Sequence, residues 1–220
     1  MNQGTLEAVA DTADTADTAD AATAAGHSAQ TSNPPAPGAG RKHHIGIAEH
    51  GKVLALAGDH KGALRHYREA MAQAVRAADP EVFFRHYLEC SIESLELMNA
   101  FDEVLSYCER AIEHYGQHAT TPELEALVQR DLAHLYQRQG AVLLKQGHKA
   151  EARTALREAL RLQPGAMPLA ASLLHWIDRN LHGDAARILA EQRRHGYFSV
   201  RSDTVDRSRA VAVPLPATGF

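Results

Sequence analysis

Only two cysteines, Cys90 and Cys108, occur in 220 residues. Two cannot build a disulfide framework, so a small secreted scaffold is excluded. There is no basic excess: the formal charge is −4, which argues against a general nucleic-acid binder. No apolar run approaches the roughly 18 residues that cross a bilayer. Met1 to Ala10 carries neither a basic start nor an apolar stretch, so no secretory signal is expected there. Strand signals are nearly missing between His44 and His195. Glycine-rich phosphate loops, His-Glu-x-x-His and Gly-x-Ser-x-Gly are missing altogether. These absences leave a soluble, cytoplasmic protein without cofactor as the expectation.

The first forty residues hold an Asp-Thr-Ala triplet repeated through Asp20 and a proline cluster at Pro34, Pro35 and Pro37. Apart from Met1, their only large apolar residues are Leu6 and Val9. Glu7, Asp11, Asp14, Asp17 and Asp20 give this stretch −5, so the rest of the chain is nearly neutral at +1. A segment so poor in buriable surface cannot offset the entropy of ordering it. Residues 1–42 are therefore expected to form a disordered acidic tail.

From about His44 to His195 apolar residues recur three and four apart, as on Ala63, Leu64, Tyr67, Ala70, Met71, Ala74 and Val75. Gly58-Asp59 and Gly147-His148 punctuate the pattern where a left-handed helix cap is needed. Asp79-Pro80-Glu81 and Thr121-Pro122-Glu123 read as helix starts, with Asp79 and Thr121 as caps. Eight helices follow, near 44–57, 59–78, 80–98, 101–116, 122–146, 148–163, 168–181 and 184–195. Gly196 to Phe220 loses the helical spacing and reads as a flexible tail, the alternative being a segment folded back onto the body.

Three stretches align, beginning at Gly58, Asn99 and Gly147. The third unit carries Tyr136, Gly140 and Leu143 on its first helix, Ala152, Leu156 and Ala159 on its second, and Pro164 after it. The first carries Ile47, Gly51, Leu54, Ala63, Tyr67 and Ala70. The second carries Leu88, Ile92, Leu95, Val104, Cys108 and Ala111, without a small residue on its first helix. A divergent fourth pair carries Leu173, Leu174, Ile177, Ala186 and Ala190. These residues resemble the tetratricopeptide repeat family over about residues 44–195. The spacing departs from the usual 34 or so residues: Ala63 to Val104 is 41 and Val104 to Ala152 is 48. The resemblance implies an all-α fold, a right-handed α-solenoid of about four antiparallel hairpins over 43–195, flanked by disordered tails at 1–42 and 196–220. A helical bundle without true repeats is the competing architecture.

In that family the first helices line a groove that receives a peptide or a helix. Carried over, the resemblance places Lys52, Ala55 and Leu56 there from the first unit. His86, Glu89, Glu93 and Glu96 come from the second, and His134, Gln137, Ala141, Leu144 and Lys145 from the third. Glu89, Glu93 and Glu96 share one helix face and favour a basic or amide-rich ligand; a merely solvated face is the plainer alternative. The implied function is a protein–protein interaction module: an adaptor, scaffold or partner-specific chaperone. Its partner would be a protein or peptide, with self-association through terminal helices compatible with the family. No nucleic acid and no membrane is expected as partner. A second reading is a peptide sensor gated by its tail, whose Arg201, Arg207 and Arg209 would lie on the acidic stripe. A third is an enzyme with a Cys/His site, which needs an activated thiolate. The fourteen histidines are scattered, so no catalytic residue and no metal ligand is assigned. Trp176 is expected to pack between the last two hairpins.

Overall fold

The chain divides into two units, Met1–Pro37 and Gly38–Phe220. The computed structural model describes residues 39–117, 121–181 and 183–214, so the acidic stretch expected to be disordered lies outside the described residues up to position 38. The described residues form eight α-helices and a short 3-10 turn, and no strand. The helices are α1 (Ala39–Leu56), α2 (His60–Arg76), α3 (Glu81–Leu97), α4 (Phe101–Gln117), α5 (Pro122–Lys145), α6 (Lys149–Leu162), α7 (Pro168–Asp178) and α8 (Ala185–Arg194). The 3-10 turn is Arg207–Arg209. Helix α1 starts at Ala39, earlier than the periodicity suggested, because no helix breaker stands between Gly40 and Ile45.

Consecutive helices pack on one another along the whole array, and α1 also touches α3 while α5 touches α7. This is a solenoid of four helical hairpins. The hairpin turns share one hydrogen-bond pattern. Asp59, Ala100, His148 and Leu181 each donate their N–H to a carbonyl five residues back, on Leu54, Leu95, Leu143 and Trp176. The residue before each donor is left-handed: Gly58 (φ 85°), Asn99 (φ 62°), Gly147 (φ 87°) and Asn180 (φ 49°). The paired bonds satisfy helix-end carbonyls and need a residue that tolerates positive φ, which explains Gly and Asn there.

Helix starts differ from expectation in part. The Asp59 carboxylate caps α2 by accepting the Gly62 N–H at 2.8 Å. Asp79 and Thr121 make no such cap bond, and Pro80 stands in the cap position of α3. Asp79 instead receives His44 Nε2 at 2.8 Å. The other ring nitrogen of His44 lies 2.7 Å from the Tyr87 hydroxyl. With Asp79 ionised, Nε2–H donates to it and Nδ1 accepts from Tyr87. The carboxylate is spent on clipping α1 to the turn between α2 and α3.

Core packing explains why the second repeat lacks its small residue. A Cβ placed on Gly51 would stand 2.7 Å from Tyr67, and one on Gly140 would stand 2.6 Å from Leu156. The large residue lies sixteen positions after the glycine in both hairpins. In the second hairpin the same positions hold Ile92 and Cys108, which pack in one cluster with Val104 and Val142. Bulk has moved from the second helix to the first, conserving volume at the crossing. In the fourth hairpin Leu173 and Ile177 are buried, but Ala186 and Ala190 are exposed. Ile188, Glu191 and Gln192 turn inward instead.

Gly140→Ile is expected to destabilise the chain strongly, since overpacking strain of about 1–3 kcal/mol or more outweighs any helix-propensity gain. Gly140→Ile/Leu156→Cys, which copies the second hairpin, should recover part of the loss. Urea denaturation midpoints of the two variants check this, and additive effects would contradict the size exchange.

Candidate functional site

The odd-numbered helices α1, α3 and α5 turn one face toward the returning C-terminal segment. Helix α8 ends at Arg194, and Gly196 takes φ 62° to reverse the chain. Residues 197–214 then run back across α5, α3 and α1. Sequence pattern alone suggested a flexible tail from 196; for these residues the fold-back alternative describes what is seen.

Tyr197 enters between α3 and α5. Its hydroxyl donates to Glu96 Oε2 at 2.8 Å and accepts from Arg138 Nε at 2.9 Å. The other Glu96 oxygen accepts Lys145 Nζ at 2.7 Å and Gln192 Nε2 at 2.6 Å. Glu96 is 1% exposed. A carboxylate so placed needs full compensation, because removing it from water costs several kcal/mol. Burial pushes the Tyr197 hydroxyl far above its ordinary value, against the pull of Arg138, so it stays a donor. Arg138 also forks onto Glu89, at 3.0 Å and 2.5 Å. Burial would raise the Glu89 carboxyl, but this guanidinium holds it below the usual carboxylate range.

Glu93 does different work. It is 1% exposed, and its two oxygens accept the backbone N–H groups of Ser199 (2.5 Å) and Val200 (3.1 Å). Burial, with the Glu89 charge beside it, pushes the Glu93 carboxyl up. Farther along, Glu49 accepts the Asp206 N–H at 2.9 Å and Lys52 Nζ at 2.7 Å. The Gly46 carbonyl accepts the Val211 N–H at 2.9 Å. Three carboxyl-facing amides and one carbonyl-facing amide thus hold the returning segment by its main chain.

The residues anticipated from the family groove separate into groups. Glu93, Glu96, Glu89, Lys145 and Lys52 converge on this face, each already engaged by the chain itself. Gln137 is buried and accepts the Ala170 N–H at 3.2 Å, so it secures the start of α7. Ala141 and Leu144 belong to the core cluster of the last hairpins. His134 is exposed on α5, and His86 is half-buried with Nε2 3.8 Å from Cys90 Sγ. Arg201 and Arg209 do not reach the acidic stripe; Arg201 bonds the Phe198 carbonyl at 2.8 Å and Arg209 lies 3.8 Å from Asp206. The stripe meets amides and a phenol because Arg138 and Lys145 have neutralised it. Arg138, Glu49 and Gln192 were missed. Arg138 is one position from Gln137 and four from His134, so the i, i+4 register contained it.

Cys90 and Cys108 are buried and unpaired. Burial pushes the Cys108 thiol up to about 12 and Cys90 higher still. That is opposite to the depressed thiol a Cys/His nucleophile requires. Among the described residues no group of three His, Cys, Asp or Glu is arranged to hold a metal ion, and no helix is long and apolar enough to cross a membrane. Trp176 packs against the last core cluster with the Arg187 guanidinium 4.4 Å from its ring centre.

Residues 133–166 match the family model for the tetratricopeptide repeat. Over these residues the third hairpin is similar to a tetratricopeptide repeat. This match takes in the second half of α5, all of α6 and the turn that follows. No match was found among curated proteins or solved structures. The family similarity therefore rests on one hairpin, while the turn bonds are shared by all four.

Lys145→Met is expected to lower stability by about 3–5 kcal/mol, because it leaves Glu96 buried with less compensation. Glu96→Gln/Lys145→Met should recover much of that in urea denaturation. The Glu93 carboxyl, raised in the fold, binds its proton to higher pH than in the unfolded chain. Its stabilising contribution is complete below the ordinary carboxyl range and is lost as pH rises through the raised value. The stability of wild type relative to Glu93→Gln should therefore fall as pH rises above the ordinary carboxyl range in parallel denaturation series.

Proposed function

We propose that this protein is a protein–protein interaction module, an adaptor, scaffold or partner-specific chaperone, whose inner helix face takes an extended peptide. Tetratricopeptide repeats in general mediate contacts between proteins. The observation that carries the reading further is the capture of main-chain N–H groups by side chains of the first helices. Glu93 takes two consecutive amides, of Ser199 and Val200, and Glu49 takes that of Asp206. Recognition through the backbone tolerates many sequences, while flanking apolar pockets select among them. Val200 fills one such pocket against Ala63, Tyr67 and Cys90.

The partner is accordingly an extended segment rich in free amides and β-branched apolar residues. Since Glu89 and Glu96 already face Arg138 and Lys145, a lysine-rich ligand gains little from them. The groove residues proposed to contact it are Glu49, Lys52 and His86, with Glu93 showing the same mode of capture on the chain's own Ser199 and Val200. Selection of a random peptide library displayed on phage against the full chain tests this. Extended sequences should be enriched, and their affinity should fall at least tenfold in Glu49→Gln. No enrichment, or binding indifferent to Glu49, would remove the proposal.

A further inference from the structure

The returning segment has two parts held in unequal ways. Tyr197 to Val200 is an anchor: the phenol is bonded to Arg138 and Glu96, and two amides are bonded to Glu93. A tight turn follows, with the Thr204 N–H donating to the Arg201 carbonyl at 3.0 Å. Beyond it, residues 205–214 touch α1 through two main-chain bonds, Asp206 to Glu49 and Val211 to Gly46. One apolar side chain, Val213, packs on the cluster of Ile47, Ala48, Ala70, Ala74 and Tyr87, while Val211 is 38% exposed. Arg207 and Arg209 are exposed.

The floor beneath this second part is shaped to a passing backbone. A Cβ on Gly46 would lie 2.7 Å from Val211 Cγ2 and 2.9 Å from the Arg209 carbonyl oxygen. Gly46 sits inside α1, where a residue without a side chain costs helix stability and is explained by a close approach. Among the described residues, Arg209 and Val211 make that approach. Below them stand an apolar cluster, the Glu49 side chain and the Gly46 carbonyl that accepts the Val211 N–H, which together suit a segment with two suitably spaced amides and a β-branched residue.

We propose that residues 205–214 are a displaceable lid over a partner site on α1, and that the partner inserts an extended segment of the same chemistry in their place. This rests on reading the inner face as a peptide site and adds its regulation. The anchor stays bound while the lid leaves, because only the lid can be freed without exposing Glu93 and Glu96. Partner access is then set by competition between a tethered segment and a free one, the tethered one having the advantage of its effective concentration.

The test uses full-length chain and a fluorescent peptide of residues 203–214 as probe. Val213→Asp loosens the lid, and circular dichroism and thermal melting verify that the helices remain. The probe should bind Val213→Asp at least tenfold more tightly than wild type, and adding Gly46→Ala should abolish that binding. Hydrogen exchange at the Asp206 and Val211 amides should accelerate in Gly46→Ala alone, with the Ser199 and Val200 amides unchanged. Equal probe affinity for wild type and Val213→Asp, or binding indifferent to Gly46→Ala, would overturn the lid. So would a wild-type dimer in sedimentation velocity that Val213→Asp dissolves, since the segment would then serve a second copy. Phage-selected peptides that bind wild type and Val213→Asp equally would sink the lid while leaving the inner-face site standing. If neither they nor the probe bind any variant, the peptide site fails as well.

Discussion

A carboxylate cut off from water must be compensated by the chain around it, and Glu96 is where this protein meets that demand. Its oxygens collect Lys145 from α5, Gln192 from α8 and Tyr197 from the returning segment. Arg138 completes the network by holding Tyr197 and Glu89 at once. Three parts of the chain, α5, α8 and the returning segment, are thereby fixed to α3. Apolar packing alone is forgiving of small slides between helices, whereas charged hydrogen bonds require particular atoms to meet.

The same network separates two uses of acidic side chains on one helix face. Glu89 and Glu96 are spent on cations and hold the scaffold. Glu93 accepts two amides, and Glu49 on α1 accepts one beside the Lys52 ammonium; both hold the returning segment. An acidic stripe of uniform appearance thus acts as a structural strut at two positions and as a main-chain receptor at a third. The electrostatic expectation for a basic partner weakens accordingly, and the amide-rich alternative gains.

The repeat hairpins share turn geometry more faithfully than they share residues. Gly58, Asn99, Gly147 and Asn180 adopt one backbone shape, and the helix crossing sixteen residues apart is filled as Gly–Tyr, Ile–Cys and Gly–Leu. What is preserved is the filling of the crossing by one large and one small side chain or by two of middle size. A motif written as residue types sees the first and third hairpins and passes over the second, which has the same volume distributed differently.

Helix number, the turn glycines, the buried Ala63, Ala152 and Leu156 and the repeat itself were legible in the sequence, because period and turn chemistry are local properties of the chain. Local pattern also placed Glu89, Glu93 and Glu96 on one face. It placed Thr121 at its cap position but misread Asp79 as the cap of α3 and the alanines of α8 as core, since a short polar side chain or a small apolar one fits several local roles. Which partner each carboxylate takes depends on residues 49 to 157 positions away, such as Arg138, Lys145, Tyr197 and Asp206. No spacing rule reaches that far. The sequence by itself determined a stack of helix pairs; only the tertiary structure decided that its inner face is already filled by the chain's own end, because that contact is made by backbone amides, which every residue but proline carries alike.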